Sequence, residues 1–161
     1  MERKILHVDV NNAFLSWTAV DLLKKGHPID IRTIPSIIGG DEERRSGIVL
    51  AKSPIAKKFG IVTGEPIYFA RKKCNKIEVF PSNFEVFKYH SDKLYKLLLE
   101  YTDVIERFSI DECFMDLTHY LNGRKLEDVA KEINYRAEHE LGFTVNIGVS
   151  SNKLLAKMAS D

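Results

Sequence analysis

Phe108-Ser109-Ile110-Asp111-Glu112-Cys113-Phe114-Met115-Asp116 sets two adjacent carboxylates, Asp111 and Glu112, among apolar residues. Val104-Ile105-Glu106-Arg107-Phe108 and Cys113-Phe114-Met115-Asp116-Leu117 predict two short strands, with Ser109 to Glu112 as the turn between them. Neighbours along a regular strand point to opposite faces, so the two acids can serve one site only from a bend. A hairpin tip supplies that bend. A third carboxylate, Asp9, ends the run Ile5-Leu6-His7-Val8-Asp9, which predicts another buried strand. Charges at the ends of buried strands need a compensating charge. The economical one is a pair of divalent cations, which take hard oxygen ligands and flank a phosphoryl transfer. A solvated acidic turn is the competing reading for Asp111-Glu112 taken alone.

Outward from the hairpin, the pattern gives a coarse architecture. Lys4 to Asp9 is a strand, and Asn11 or Asn12 caps a helix to about Lys25 that Gly26 ends. Ile29 to Ile38 reads as extended, Gly39-Gly40-Asp41 as a turn and Gly47 to Ala51 as a strand. Pro54 opens a short helix to Phe59, Glu65 to Lys73 forms another, and Ile77 to Phe80 is a strand. Phe84, Phe87, Leu94, Leu97 and Leu98 recur at helical spacing and predict a long helix over about Asn83 to Tyr101. Leu126 to Leu141 is a second long helix, with Val129, Ile133 and Ala137 inward and Gly142 closing it. Thr144 to Val149 is a strand, and Asn152 opens a last helix. The expected fold class is α+β: a small sheet packed on two long helices, with an insertion from about Asn11 to Ile77.

Composition fits this. The 161 residues suit one domain, or a domain plus a small lobe, and 44% hydrophobic residues can fill a core. No apolar run approaches a membrane span, and the N-terminus lacks the apolar stretch of a signal peptide. Cys74 and Cys113 lie far apart without metal-ligand spacing, which reads as reduced thiols in a cytoplasmic protein. Net charge is only +1, but Arg44 to Lys76 holds nine Lys/Arg and one acid, Glu65. That segment carries +8, which leaves −7 for the remainder. A basic lobe beside an acidic site suits an enzyme that draws in phosphates and holds metals.

Three motifs carry a resemblance. His7-Val8-Asp9-Val10-Asn11-Asn12-Ala13-Phe14 resembles the first motif of the Y-family translesion DNA polymerases. Ser109-Ile110-Asp111-Glu112-Cys113-Phe114-Met115-Asp116 resembles their S-I-D-E-x-x-x-D motif. Gly148 to Asp161, Gly-Val-Ser-Ser-Asn-Lys-Leu-Leu-Ala-Lys-Met-Ala-Ser-Asp, is similar to their G-x-S-x-N-K-x-x-A-K-x-A-S-D motif. The three occur in the family's order and span the chain. The resemblance implies a template-directed deoxynucleotidyl transferase of DNA repair and the damage (SOS) response. Its palm would be residues 1–10 and 78–161, and its fingers residues 11–77. Nothing in the sequence looks like a thumb or little-finger domain, and the last motif continues in relatives, so the chain is expected to be the N-terminal part of a longer protein.

The resemblance also implies roles. Asp9 and Asp111 would bridge two Mg2+ ions, for which Mn2+ can substitute. Glu112 would bind the ion that activates the primer 3′-hydroxyl, and Val10 would lend its backbone carbonyl to the nucleotide's ion. Phe14 stands at the position of the sugar gate, which excludes a ribose 2′-hydroxyl. Lys157 matches the lysine assigned to the triphosphate; Lys153 lies one turn earlier, and the helix N-terminus at Asn152 is expected to add positive potential near the site. Primer-template DNA and deoxynucleoside triphosphates are the implied partners, with a sliding clamp reached through a region outside this chain.

The fingers depart from the common pattern. Many members place a Tyr and an Arg, three apart, before K-F-G; here Pro54 and Lys57 stand there, which looks more like the UmuC-like branch. Lysine is a point charge without the guanidinium fork, and Lys52 and Ser53 are candidates to compensate. Two other readings compete. Gly39-Gly40-Asp41-Glu42-Glu43 nearly spells the G-G-D-E-F signature of nucleotide cyclases, for which Asp9 would be the earlier strand-end acid. That reading leaves Asp111, Glu112 and Lys157 without work. An inactive DNA-binding lobe is the other, and the retention of all three acids speaks against it.

Overall fold

The computed structural model describes residues 2–40 and 47–161. In chain order the first half holds β1 (Ile5–Val10), α1 (Ala13–Lys24), a 3-10 turn (Ile31–Thr33), β2 (Ser36–Gly39), β3 (Val49–Lys52), α2 (Pro54–Lys58) and α3 (Ile67–Lys73). There follow β4 (Glu78–Pro81), α4 (Phe84–Leu98), β5 (Ile105–Ser109), β6 (Glu112–Asp116), α5 (Leu126–Arg136), a π-helical turn (Ala137–Leu141), β7 (Val145–Ser150) and α6 (Lys153–Ser160). The chain divides into two compact units, Met1–Asn11 with Lys88–Asp161, and Asn12–Phe87. The second boundary falls at Phe87 rather than the expected Ile77. The reason is β4, which pairs in parallel with β2 (Ser36 opposite Glu78, Ile37 opposite Val79) and so stays with the inserted unit.

The first unit is built on a four-stranded sheet of order β5-β6-β1-β7, with antiparallel neighbours throughout. Both faces of β1 are buried, which is why its sequence reads as a nearly continuous apolar run. Leu6, Val8, Val10, Cys113, Met115 and Val145 are all buried. α4 and α5 bring matching stripes, Leu94, Leu97 and Leu98 on one and Leu126, Val129 and Ile133 on the other, and α5 packs against β7. Asn83 starts α4 by accepting the Glu85 and Val86 N–H groups at its side-chain oxygen. The helix expected over Leu126 to Leu141 turns π-helical at Ala137 before Gly142, at φ 86°, ends it.

The second unit holds the sheet β3-β2-β4 over a core of Ile37, Val49, Ile61, Ile67, Ala70 and Ile77. Two local expectations change here. Asn12 does precede α1, but its side chain caps nothing; it sits in the left-handed region (φ 47°), and its amide donates to the Lys52 carbonyl at 2.7 Å. The stretch expected to be extended from Ile29 bends into the 3-10 turn, because the Asp30 carboxylate accepts the Arg32 N–H and pairs with its guanidinium. Ser53 opens α2 as its N-cap. Cys74 and Cys113 are free and buried, and burial pushes the Cys113 thiol up to about 11. No helix among the described residues is long and apolar enough to cross a membrane.

Candidate active site

The alternation of β1 sends Ile5, His7 and Asp9 to one face of the first unit's sheet. Across the ladder, Ile5 faces Asp116, His7 faces Phe114 and Asp9 faces Glu112; on the other side His7 faces Gly148 and Asp9 faces Asn146. Directly opposed residues share a face, so Asp9 and Glu112 stand side by side. α6 covers the apolar end of this face, with Ala156 packed on Ile5 and Phe114. It comes so close that a Cβ on Gly148 would lie 1.8 Å from the Ala156 carbonyl oxygen.

The hairpin tip is held from two sides. Val10 donates its N–H to the Asp111 carbonyl at 3.0 Å. Ser91 of α4 donates its hydroxyl to the Ile110 carbonyl at 2.6 Å, and Arg107 donates to Ser91 at 2.9 Å. The β5–β6 register shifts between Arg107 and Ser109, which is the bend that two adjacent acids need to serve one site. The Ser109 hydroxyl then lies 2.9 Å from Asp111 Oδ1 and 2.8 Å from Glu112 Oε2.

The three acids have different neighbours. Lys157 Nζ of α6 and His7 Nε2 each lie 3.1 Å from Glu112 Oε1. Burial works to raise the Glu112 carboxyl, but hydrogen bonds from Ser109, Lys157 and His7 outweigh it and hold the group below its ordinary value. Asp9 is the opposite case. Burial first, then the charges of Asp111, Glu112 and Asp161, push its carboxyl up to about 6 against the pull of Lys157. Among the described residues no three His, Cys, Asp or Glu groups form a ready-made metal cage. The donor set is nonetheless the one a hard divalent cation takes: carboxylate oxygens carrying more negative charge than their neighbours offset.

The impB/mucB/samB family model matches residues 8–161. The chain belongs to that family. The resemblance to Y-family polymerases read from the motifs is therefore borne out. A protein of Clostridium acetobutylicum named DNA polymerase IV is 58% identical over 161 residues, which are all of this chain and 41% of that protein. One of Acetivibrio thermocellus with the same name is 39% identical, again across all of this chain and 39% of its own length. The chain thus spans about two fifths of these relatives. Among solved structures, DinB from Sulfolobus solfataricus matches with a TM-score of 0.84 and 25% identity, over 98% of this chain and 45% of that one. An insertion ternary complex of Dbh DNA polymerase matches with a TM-score of 0.85 and 26% identity, over the same shares.

Within this family frame, the first unit gathers Asp9, Val10, Asp111, Glu112 and Lys157, whereas Phe14 and Lys57 belong to the second unit. Phe14 is half-buried on α1 and stacks on Phe87 at 4.6 Å between ring centres. Lys57 is exposed on α2. Ser53 does not compensate for the missing Arg: it is fully buried, takes the Ala56 and Ser36 N–H groups and donates to the Ile34 carbonyl. Lys52 donates to the Thr63 hydroxyl. The cyclase-like stretch falls on Asp41, Glu42 and Glu43, outside the described residues.

One electrostatic expectation reverses. α6 was expected to aim its N-terminus at the acids, but Lys153 at that end pairs with Glu106 of β5. Ser160, at the other end, lies against His7, and Asp161 acts on Asp9. Positive potential at the acids therefore comes from the Lys157 ammonium and not from the helix end. Sequence reasoning passed over His7, Ser109 and Ser160 as site residues. The signal for His7 was its two-residue spacing from Asp9 on one strand.

Proposed function

We propose that this chain is the palm and fingers of a Y-family DNA-directed DNA polymerase that performs template-directed deoxynucleotidyl transfer across damaged template. The observation that carries this reading is the facing pair Asp9 and Glu112, with Asp111 at the adjoining hairpin tip and Lys157 against Glu112. Two Mg2+ ions, or Mn2+ in their place, would supply Lewis-acid stabilisation of the attacking hydroxyl and the pyrophosphate leaving group. Asp9, Asp111, Glu112 and the Val10 carbonyl would hold the ions, with Glu112 serving the primer side and Val10 the nucleotide side. Lys157 leaves Glu112 for the triphosphate and neutralises it, with Lys57 as a second phosphate contact. Phe14 closes the space under the sugar, so deoxynucleotides are taken. The partners are primer-template DNA and deoxynucleoside triphosphates in the cytoplasm, with a sliding clamp engaged through regions outside this chain.

The test is primer extension by the full-length protein carrying Asp111→Ala. Extension is expected to vanish while primer-template affinity stays within about twofold, a change under ~0.4 kcal/mol. Normal extension by this variant overturns the assignment.

A further inference from the structure

His7 is fully buried, and both of its ring nitrogens are engaged. Nε2 lies 3.1 Å from Glu112 Oε1, and Nδ1 lies 2.5 Å from the Ser160 hydroxyl. A carboxylate oxygen only accepts, so the proton on this side sits on Nε2. The ring is also wedged against Phe114 at 4.8 Å. Ser160 in turn lies 2.8 Å from the Lys157 carbonyl, one turn back on α6. With the proton on Nε2, Nδ1 takes the single Ser160 hydroxyl hydrogen and the Lys157 carbonyl is only a neighbour of that oxygen; the contacts run from α6 through β1 to β6 and join residues of all three motifs.

The two oxygens of Glu112 are treated differently along this path. Oε1 meets His7 and Lys157, while Oε2 faces the Ser109 hydroxyl that also touches Asp111. Once Lys157 leaves for a phosphate, His7 is the group that still holds Oε1. A ligand carboxylate fixed through one oxygen presents the other in a set direction, and loss of such a support costs on the order of 10- to 100-fold in metal affinity or activity. A buried histidine with both nitrogens satisfied is often only structural. Here its acidic partner is a candidate metal ligand, and its other nitrogen is held by the helix that brings Lys157.

We propose that His7, oriented by Ser160, is a positioning residue that aims Glu112 Oε2 at the primer-side cation. This rests on the polymerase reading above. The experiment uses the full-length protein and two readouts: direct titration with Mn2+ by paramagnetic resonance, and the turnover and nucleotide KM of primer extension. His7→Gln keeps an N–H donor near the Nε2 position; His7→Leu does not. For His7→Leu the half-saturating Mn2+ concentration is expected to rise on the order of 10- to 100-fold. Turnover should fall with it while KM for nucleotide stays level, and His7→Gln should recover most of the loss. Wild-type Mn2+ binding in a folded His7→Leu protein overturns the proposal, as does equal loss in the Gln and Leu variants. Should the Leu variant not fold, Ser160→Ala decides: a several-fold weaker Mn2+ response supports the proposal, and an unchanged one overturns it. Asp111→Ala runs alongside as the control, because normal extension there defeats the polymerase reading itself and not the role of His7.

Discussion

Asp9 and Glu112 face each other directly across the β1–β6 ladder, and the Lys157 ammonium and the His7 ring both lie against Glu112. Two carboxylates side by side cannot both ionise cheaply, and the surroundings divide them. Lys157, His7 and Ser109 keep Glu112 ionised, while the protonation of Asp9 is favoured by burial and by three acidic neighbours. Burial and electrostatic repulsion therefore fall on Asp9, the acid that stands to gain most from a bound cation.

This repulsion gives a pH signature. The unfolded Asp9 carboxyl gives up its proton near 3.8, and the folded one holds it to about 6. Between those values the folded state binds more protons, so stability falls as pH rises, and the penalty is fully present above about pH 6. Asp9→Asn in chelator-treated protein should be more stable than wild type at pH 7.5, by well under the ~3 kcal/mol of an unscreened shift, because Asp9 is partly exposed and solvent screens its neighbours' charges. The gain should shrink to nothing below about pH 4. Denaturant melts at the two pH values check this; a pH-independent difference would mean that Asp9 is not the strained member.

Ser53 serves the fold of the second unit and not the nucleotide. Its oxygen accepts two N–H groups and its hydroxyl donates to a carbonyl, all shielded from water. Ser53→Ala removes a helix cap and strands buried polar groups, which should cost about 1–3 kcal/mol. Thermal denaturation is expected to show that loss, with nucleotide KM unchanged at temperatures where the variant stays folded. A raised KM in a stably folded variant would return Ser53 to the phosphate site.

Phe14 stacks on Phe87 and lies near Trp17, so aromatic packing anchors it. Phe14→Ala should raise ribonucleotide incorporation relative to deoxynucleotide by about tenfold or more, a transition-state difference of ~1.4 kcal/mol or above. Single-nucleotide insertion with matched ribo- and deoxyribonucleotides measures it. Unchanged sugar discrimination would leave Phe14 a packing residue only.

The strands, the long helices and the three carboxylates Asp9, Asp111 and Glu112 were legible because each rests on a local pattern: alternation, helical spacing, or a motif of fixed order. What escaped depends on contacts between distant segments. His7 sits in a run that reads as uniformly apolar, and only the pairing with β6 reveals its carboxylate partner. The direction of α6 against the sheet cannot be read from Asn152 to Asp161, which say where the helix starts but not which end meets Asp9. The π-helical turn at Ala137–Leu141 escaped because the apolar spacing continues through it. Asn12 was placed correctly at the start of α1, but its amide serves Lys52, forty residues away.

Gly148 allows α6 to close down on the sheet beside the site. It lies opposite His7 in the β1–β7 ladder, under the last turns of α6. A Cβ there would stand 1.8 Å from the Ala156 carbonyl oxygen and 2.5 Å from the Ser160 nitrogen. Both are backbone atoms of a hydrogen-bonded helix, so neither can yield by changing a rotamer; the helix must lift as a body. Lifting it exposes Ala156, which is fully buried, and pulls Ser160 and Lys157 from His7 and Glu112. Gly148→Ala should therefore cost at least about 2 kcal/mol, in the upper range for overpacking. It should also abolish the Lys157–Glu112 pairing, which NMR of the side-chain ammonium in isotope-labelled protein can follow. A variant with wild-type stability and an intact ammonium signal would show that α6 does not sit as close to β7 as Gly148 allows.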